Sequence, residues 1–170
     1  SNNGPNDKAI GTQSLKKTGT CFILSSISTN LIGVKTYSGI LAIKMLVMTV
    51  LTAKQRFRKK AFANEEDAKA GKGKVKLDDP DVERVRRAHL NDLENIPVFW
   101  ILGALYLTTG PSAAWATMLF RLFTAGRVIH TIVYAVTPLP QPARGIAFGV
   151  PFLISGYMGF KVVQYYLSAL

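Results

Sequence analysis

The chain has 170 residues, enough for one domain, with 48% apolar residues, 18% charged residues and a formal net charge of +11. The charged share falls below the roughly 25% of soluble domains, and the apolar residues are clumped. Residues 41–53 hold one charge, residues 97–120 none and residues 146–170 one, which points to a membrane protein and away from a soluble core. Cys21 is the only cysteine, so an intramolecular disulfide and a metal site of paired cysteines are excluded; no metal site is expected.

Residues 1–37 are rich in Ser, Thr, Asn and Gly and read as a variable or disordered extension, too poor in apolar residues to offset ordering entropy. The apolar run at residues 21–24 is too short for the hydrophobic region of a signal peptide. The membrane domain is expected over residues 38–170. Its first span ends near Ala53 and extends back through Tyr37 and Val34 to reach the ~20 residues that a bilayer requires.

Nine Lys or Arg residues follow within residues 54–76, against Glu65, Glu66 and Asp67. A nucleic-acid-binding arm would need a soluble fold to carry it, so no nucleic-acid partner is expected. A solvated basic loop without function competes with the positive-inside rule, which fits better because the cluster directly follows a span and so marks the cytoplasmic side. Residues 61–79 read as a long polar loop.

Asp78-Asp79-Pro80 then supplies an acidic N-cap and a proline suited to the first helical turn. The helix it starts should run to Leu107, crossing Pro97 with a kink. Thr108-Thr109-Gly110-Pro111 makes a turn, a third span covers residues 112–136, and the prolines of residues 138–142 forbid a helix there. A fourth span runs from Arg144 or Gly145 to about Leu167, with Tyr165 and Tyr166 as interfacial anchors. The expected fold is an all-α, four-transmembrane-helix bundle. Four spans put the basic loop and the proline loop on one side of the membrane.

Polar residues inside this frame mark a site. Glu83, Arg87, Asn91 and Glu94 fall at i, i+4, i+8 and i+11, one stripe of a helix. An exposed helix with an i,i+4 pair such as Glu83–Arg87 is the plainer reading. Next to membrane spans, however, ionisable residues must face a bundle interior or a watery cavity, which favours a polar seam. Arg127, His130 and Tyr134 share a face of the third span. Arg121 lies on another face and snorkels, while Lys44 and Asp92 are expected to pair across helices as a structural contact. The cations Arg56, Arg87, Arg127 and Arg144, with Glu83, Glu94, an amide and a tyrosine, suit a small zwitterionic ligand: Arg forks take carboxylates and a Glu takes the ammonium.

These residues resemble a known family. The resemblance rests on IKM at 43–45, RKKAFAN at 58–64 with Glu66-Asp67 after it, DPDVER at 79–84 and RRAHLNDLE at 86–94. Gly126-Arg127, His130-Thr131, Tyr134, PLPQP at 138–142 and Arg144-Gly145 extend it. The chain is similar to the membrane-associated proteins in eicosanoid and glutathione metabolism (MAPEG), in the branch of glutathione transferases and prostaglandin E synthases, over roughly residues 38–167.

The resemblance implies a homotrimer in the endoplasmic reticulum or outer mitochondrial membrane, with glutathione sites between subunits that open to the cytosol. It implies glutathione as co-substrate, with Arg56, Arg87, Asn91, Glu94, His130 and Tyr134 as its contacts. Arg144 would be the catalytic residue that stabilises the thiolate, with Glu83, Arg127 and Asp92 in support. The implied reaction joins glutathione to hydrophobic electrophiles dissolved in membrane lipid, or reduces lipid hydroperoxides.

Prostaglandin E synthesis is the alternative within the family. Members with that activity resemble this chain less at three positions, having a Ser after the arginine, a Tyr three residues later and an Arg in the second helix. This chain has Gly145, Phe148 and Leu90 there. Ala68 stands where the transferase carries a stress-sensing cysteine, so activation by thiol modification is not expected. A membrane scaffold without catalysis is the alternative of another class, and the retained Arg87, Asn91, Glu94 and Arg144 weigh against it. A channel or transporter has least support, because no span is broken by paired Gly or Pro near its middle.

Overall fold

The computed structural model describes residues 5–168 and 170, with side chains from Ile32 onward; the extension expected over residues 1–37, including Cys21, lies largely outside those described side chains. The chain forms α1 (Pro5–Lys59), β1 (Ala61–Phe62), α2 (Glu65–Ala70), β2 (Lys74–Val75), α3 (Pro80–Thr108), α4 (Ala113–Thr131) and α5 (Ala143–Leu167). Between α4 and α5, Ile132–Val136 widens into a π-helical turn.

The four long helices alternate in direction and pack together, α1 on α3 and α4, and α5 on α3 and α4. Aromatic rings fill the middle. Phe99 of α3 stacks on Phe123 of α4 with centroids 3.8 Å apart and meets Phe120 edge-on at 5.6 Å. Leu41 of α1, Ile96 of α3, and Ile154 and Met158 of α5 close around them. Gly126 of α4 lets α5 approach, since a Cβ there would sit 2.5 Å from Cγ of Pro151.

The outer surface is apolar. Ile40, Ile43, Val47 and Val50 of α1 and Phe152, Leu153 and Phe160 of α5 are all exposed. An aqueous surface would penalise that patch, whereas hydrocarbon does not. Among the described residues, three helical segments are long and apolar enough to cross a membrane: Ile32–Lys59, Ala113–Val136 and Ala143–Leu167. The chain is an all-α integral membrane protein. The expected second span, α3, differs in character because its first half is polar; it buries Val82, Val85, Ala88, Asp92, Ile96 and Phe99 in one stripe and turns Arg87, Asn91 and Glu94 elsewhere.

Helix ends follow the sequence signals. Asp79 Oδ1 accepts from the N–H groups of Asp81 (3.1 Å) and Val82 (3.3 Å), and Pro80 opens α3. Partial burial pushes the Asp79 carboxyl up, but those two N–H bonds, with Lys76 and Lys59 nearby, outweigh it and hold the group below its ordinary range. Ser112 caps α4 through Trp115 N–H. Gly110 turns the chain between α3 and α4 at φ +72°, a conformation that glycine adopts without strain.

Two expectations need correction. The first helix runs beyond Ala53 to Lys59, because nothing in residues 54–59 breaks it and Lys59 pairs with Asp81 at 2.5 Å. The segment 61–79 is not a plain loop. A short parallel ladder pairs Ala61 with Lys74 and Phe62 with Val75, and Asn64 caps α2 by accepting from Asp67 N–H at 2.8 Å. The buried Phe62 ring packs where side chains on Gly71 and Gly73 would stand, at 2.1 and 2.6 Å from a built Cβ. That ring folds the segment back on itself.

Candidate functional site

A cleft of about 480 Å³ opens at the end of the bundle that carries the basic segment, the start of α3 and the proline connection. From α3 it is lined by Arg87, Leu90, Asn91 and Glu94. The second contribution is His130, from the last turn of α4, and Tyr134, from the π-helical turn. Gln141, Arg144, Gly145 and Phe148 close it from the other side.

The π-helical turn is what seats Tyr134. Thr137 N–H reaches back five residues to the Ile132 carbonyl at 2.8 Å, which rotates this turn relative to regular α geometry. Tyr134 lies over His130 with centroids 5.3 Å apart, and its ring carries the Arg144 guanidinium 5.4 Å from its centroid. Two buried donor or acceptor atoms in this wall, Nε of Arg144 and Nδ1 of His130, have no hydrogen-bond partner among the described residues. Buried polar atoms seldom stay unpaired, so a ligand that reaches them removes a cost. Gln141 Oε1 accepts from Gly145 N–H at 3.1 Å and so ties the proline connection to the first turn of α5.

Behind the cleft lies a charge cluster. Asp92 is fully buried, accepts Lys44 Nζ from α1, and accepts Arg127 from α4 at 2.5 Å (Nη2) and 3.2 Å (Nε). Arg127 Nη2 also donates to Asn91 Oδ1 at 2.8 Å. Two cations share one carboxylate, which leaves an excess positive charge beside a cleft already holding Arg87 and Arg144. The expected Lys44–Asp92 pair forms; it belongs to this triad and not to an isolated bridge.

The sequence-derived residues therefore separate into three groups. Arg87, Asn91, Glu94, His130, Tyr134 and Arg144 line one cleft. Arg127 and Asp92 stand behind it and reach it through Asn91. Glu83 and Arg56 do not line it within this chain. Glu83 is held by Arg86 at 2.8 Å, one residue earlier than the expected Arg87 partner. Among the described residues, the hydrogen-bond partner of Arg56 is the Ala61 carbonyl, at 3.5 Å. Gln141 also lines the cleft, and its place between Pro140 and Pro142 is the one sequence signal that marks it. Ala68 is buried in α2, and Leu90, Gly145 and Phe148 all line the cleft.

The MAPEG family model matches residues 34–164, a stretch that contains every residue lining the cleft. The chain belongs to the MAPEG family. Its relatives include microsomal glutathione S-transferase 1 of Mus musculus, 48% identical over 133 residues, which are 75% of this chain and 85% of the relative. The Homo sapiens protein of the same name is 46% identical over the same shares. Prostaglandin E synthase of Bos taurus is 43% identical over 127 residues, 74% of this chain and 82% of that protein. As a MAPEG chain, this protein keeps its polar residues where its four long helices meet at one end.

Proposed function

We propose that this protein is a membrane-bound glutathione transferase, with glutathione as co-substrate and hydrophobic electrophiles as acceptors. The observation that carries the reading is the Arg144 guanidinium, seated on Tyr134 with its Nε unpaired, in a cleft that also presents Arg87 and Glu94. Glutathione carries two carboxylates, an ammonium group, amides and a thiol. Arg87 suits a carboxylate, Glu94 the ammonium, and Asn91 and Gln141 the peptide groups.

A cysteine thiol ionises near pH ~8.5, so little thiolate exists at neutral pH. Arg144 beside the sulfur favours the anion, and the buried excess charge of the Lys44–Asp92–Arg127 triad adds to the same field. The thiolate attacks the electrophilic carbon, a carbon–sulfur bond forms, and for an aryl halide the halide leaves. With a lipid hydroperoxide, sulfur attacks the outer oxygen to give an alcohol and a sulfenic acid. A second glutathione then releases water and forms the disulfide. A site at the level of the lipid meets such substrates where they concentrate.

The same reading includes a homotrimer in the endoplasmic reticulum or outer mitochondrial membrane, its cleft facing the cytosol on the side of the basic segment. Arg56 then joins the glutathione site from a neighbouring copy. Gly145, Phe148 and Leu90 favour conjugation over prostaglandin E synthesis. The test is conjugation of glutathione to a generic aryl halide by purified protein. Wild type is expected to turn over at neutral pH, and Arg144→Ala to lose most of that activity while glutathione still binds. Equal turnover in Arg144→Ala overturns the role of Arg144. Failure of the wild type to bind glutathione in detergent overturns the function itself and favours a scaffold.

A further inference from the structure

A second cavity, of about 380 Å³, lies at the opposite end of the bundle, between the C-terminal turns of α3 and α5. Its walls carry Lys161, the hydroxyls of Tyr106, Tyr157 and Tyr165, and those of Thr109 and Ser168. All ten Asp and Glu residues lie at or before Glu94, so α4 and α5 carry none, and Lys161 is the charged residue in the walls of this cavity. Lys161 therefore has no Asp or Glu partner on its own helix or on the helix before it. Among the described residues it donates to Gln164 Oε1 at 3.1 Å. An ammonium has three donors, so two point into the cavity or to water.

A lysine near a helix end commonly reaches for the membrane surface alone. Here it is half-buried and shares a cavity with three tyrosine hydroxyls, while the Thr109 and Ser168 hydroxyls already donate to the carbonyls of Tyr106 (2.8 Å) and Tyr165 (2.7 Å). An ammonium with phenolic donors suits phosphate oxygens. Leu105, Phe160, Val163 and Leu167 are exposed on the same helices, so an acyl chain can lie against apolar side chains directly beside the cavity. We infer that this cavity holds the phosphodiester of a membrane phospholipid, with Lys161 as its counter-ion and the tyrosine hydroxyls as donors. Basic pockets between membrane helices that take lipid headgroups follow this pattern.

The proposal is independent of the glutathione cleft and is tested without it. Protein stripped of lipid in detergent is titrated with dioleoyl phosphatidylglycerol, dioleoylglycerol or inorganic phosphate, and its melting temperature is followed. Phosphatidylglycerol is expected to raise the melting temperature of the wild type and of Lys161→Arg, with at least half the rise lost in Lys161→Gln. Tyr157→Phe with Tyr165→Phe, which leaves the lysine in place, is expected to lower the apparent lipid affinity several-fold. An equal rise in Lys161→Gln overturns the site, as does an equal rise with dioleoylglycerol, which has no phosphate. Protection by inorganic phosphate alone overturns the lipid as its source.

Discussion

The Arg144 guanidinium sits over the Tyr134 ring, 5.4 Å from its centroid, so the residue proposed to stabilise the thiolate is held by a side chain from a π-helical turn. A cation over an aromatic face contributes on the order of 0.5–2 kcal/mol. Tyr134→Ala should loosen Arg144 and lower conjugation at neutral pH by about 2- to 30-fold, recovering as pH approaches the thiol range. Tyr134→Phe keeps the ring and loses the hydroxyl, so its pH profile should match wild type while the KM for glutathione rises. A profile in Tyr134→Ala identical to wild type would separate the ring from thiolate formation.

The buried triad makes an asymmetric prediction. Removing the charge of Asp92 by Asp92→Asn leaves Lys44 and Arg127 without a counter-ion in the bundle interior. Breaking a buried pair from one side costs about 3–5 kcal/mol. Lys44→Met instead leaves Asp92 and Arg127 matched one to one. Melting in detergent should show Asp92→Asn far less stable than Lys44→Met. The reverse order would place the structural charge balance elsewhere.

Much of the fold is legible in the sequence because the membrane demands long apolar runs and helix ends demand caps: Asp79, Pro80, Ser112 and the prolines of 138–142 each mark an observed boundary. The cleft residues on α3 were readable for a similar reason, since Arg87, Asn91 and Glu94 share one helical stripe. Glu83 has the same periodicity but bonds to Arg86, a choice between i+3 and i+4 that periodicity cannot make. The fold of residues 61–79 depends on one ring, Phe62, against two glycines, a contact with no repeating pattern. Spacing groups Arg127 with His130 and Tyr134, yet the π-helical turn separates Tyr134 from that register and Arg127 turns inward to Asp92.

The contact between α4 and α5 depends on Gly126. A methyl group there meets Pro151 Cγ at 2.5 Å, and a proline ring within a helix cannot swing aside. Gly126→Ala should force α5 outward at a cost of about 1–3 kcal/mol, the usual range for overpacking. It should also weaken glutathione binding, because Arg127 follows directly and holds Asn91. Gly149→Ala, with open space around it, serves as the control and should melt like wild type.

Acid should act first at the start of α3. The Asp79 carboxyl lies below its ordinary value of 3.8 in the folded state, so it binds a proton more readily when unfolded. Its contribution is complete above that ordinary value and fades as pH falls through the lowered one. Asp79→Asn can still cap the helix but does not titrate. Between about pH 5 and pH 3 the variant should lose less stability than wild type, measured by melting in detergent. Parallel acid curves would assign the loss to other carboxylates.

Arg56 offers a direct test of a composite site, because it lies in the last turn of α1 and does not line the cleft of its own chain. If each glutathione site takes Arg144 from one copy and Arg56 from its neighbour, Arg56→Ala and Arg144→Ala damage different halves of every site. Each variant alone should be largely inactive. Co-expressed in equal amounts and assembled at random, about one site in four pairs an intact Arg144 with an intact Arg56 across a rotational interface. Activity should return to roughly that fraction of wild type, read by the same aryl halide assay on co-purified protein. Mixing the two after separate purification should restore nothing until the oligomers exchange subunits. No recovery on co-expression, with oligomers intact by size, would place Arg56 and Arg144 in the same copy's site, whereas wild-type activity in Arg56→Ala alone would remove Arg56 from the site.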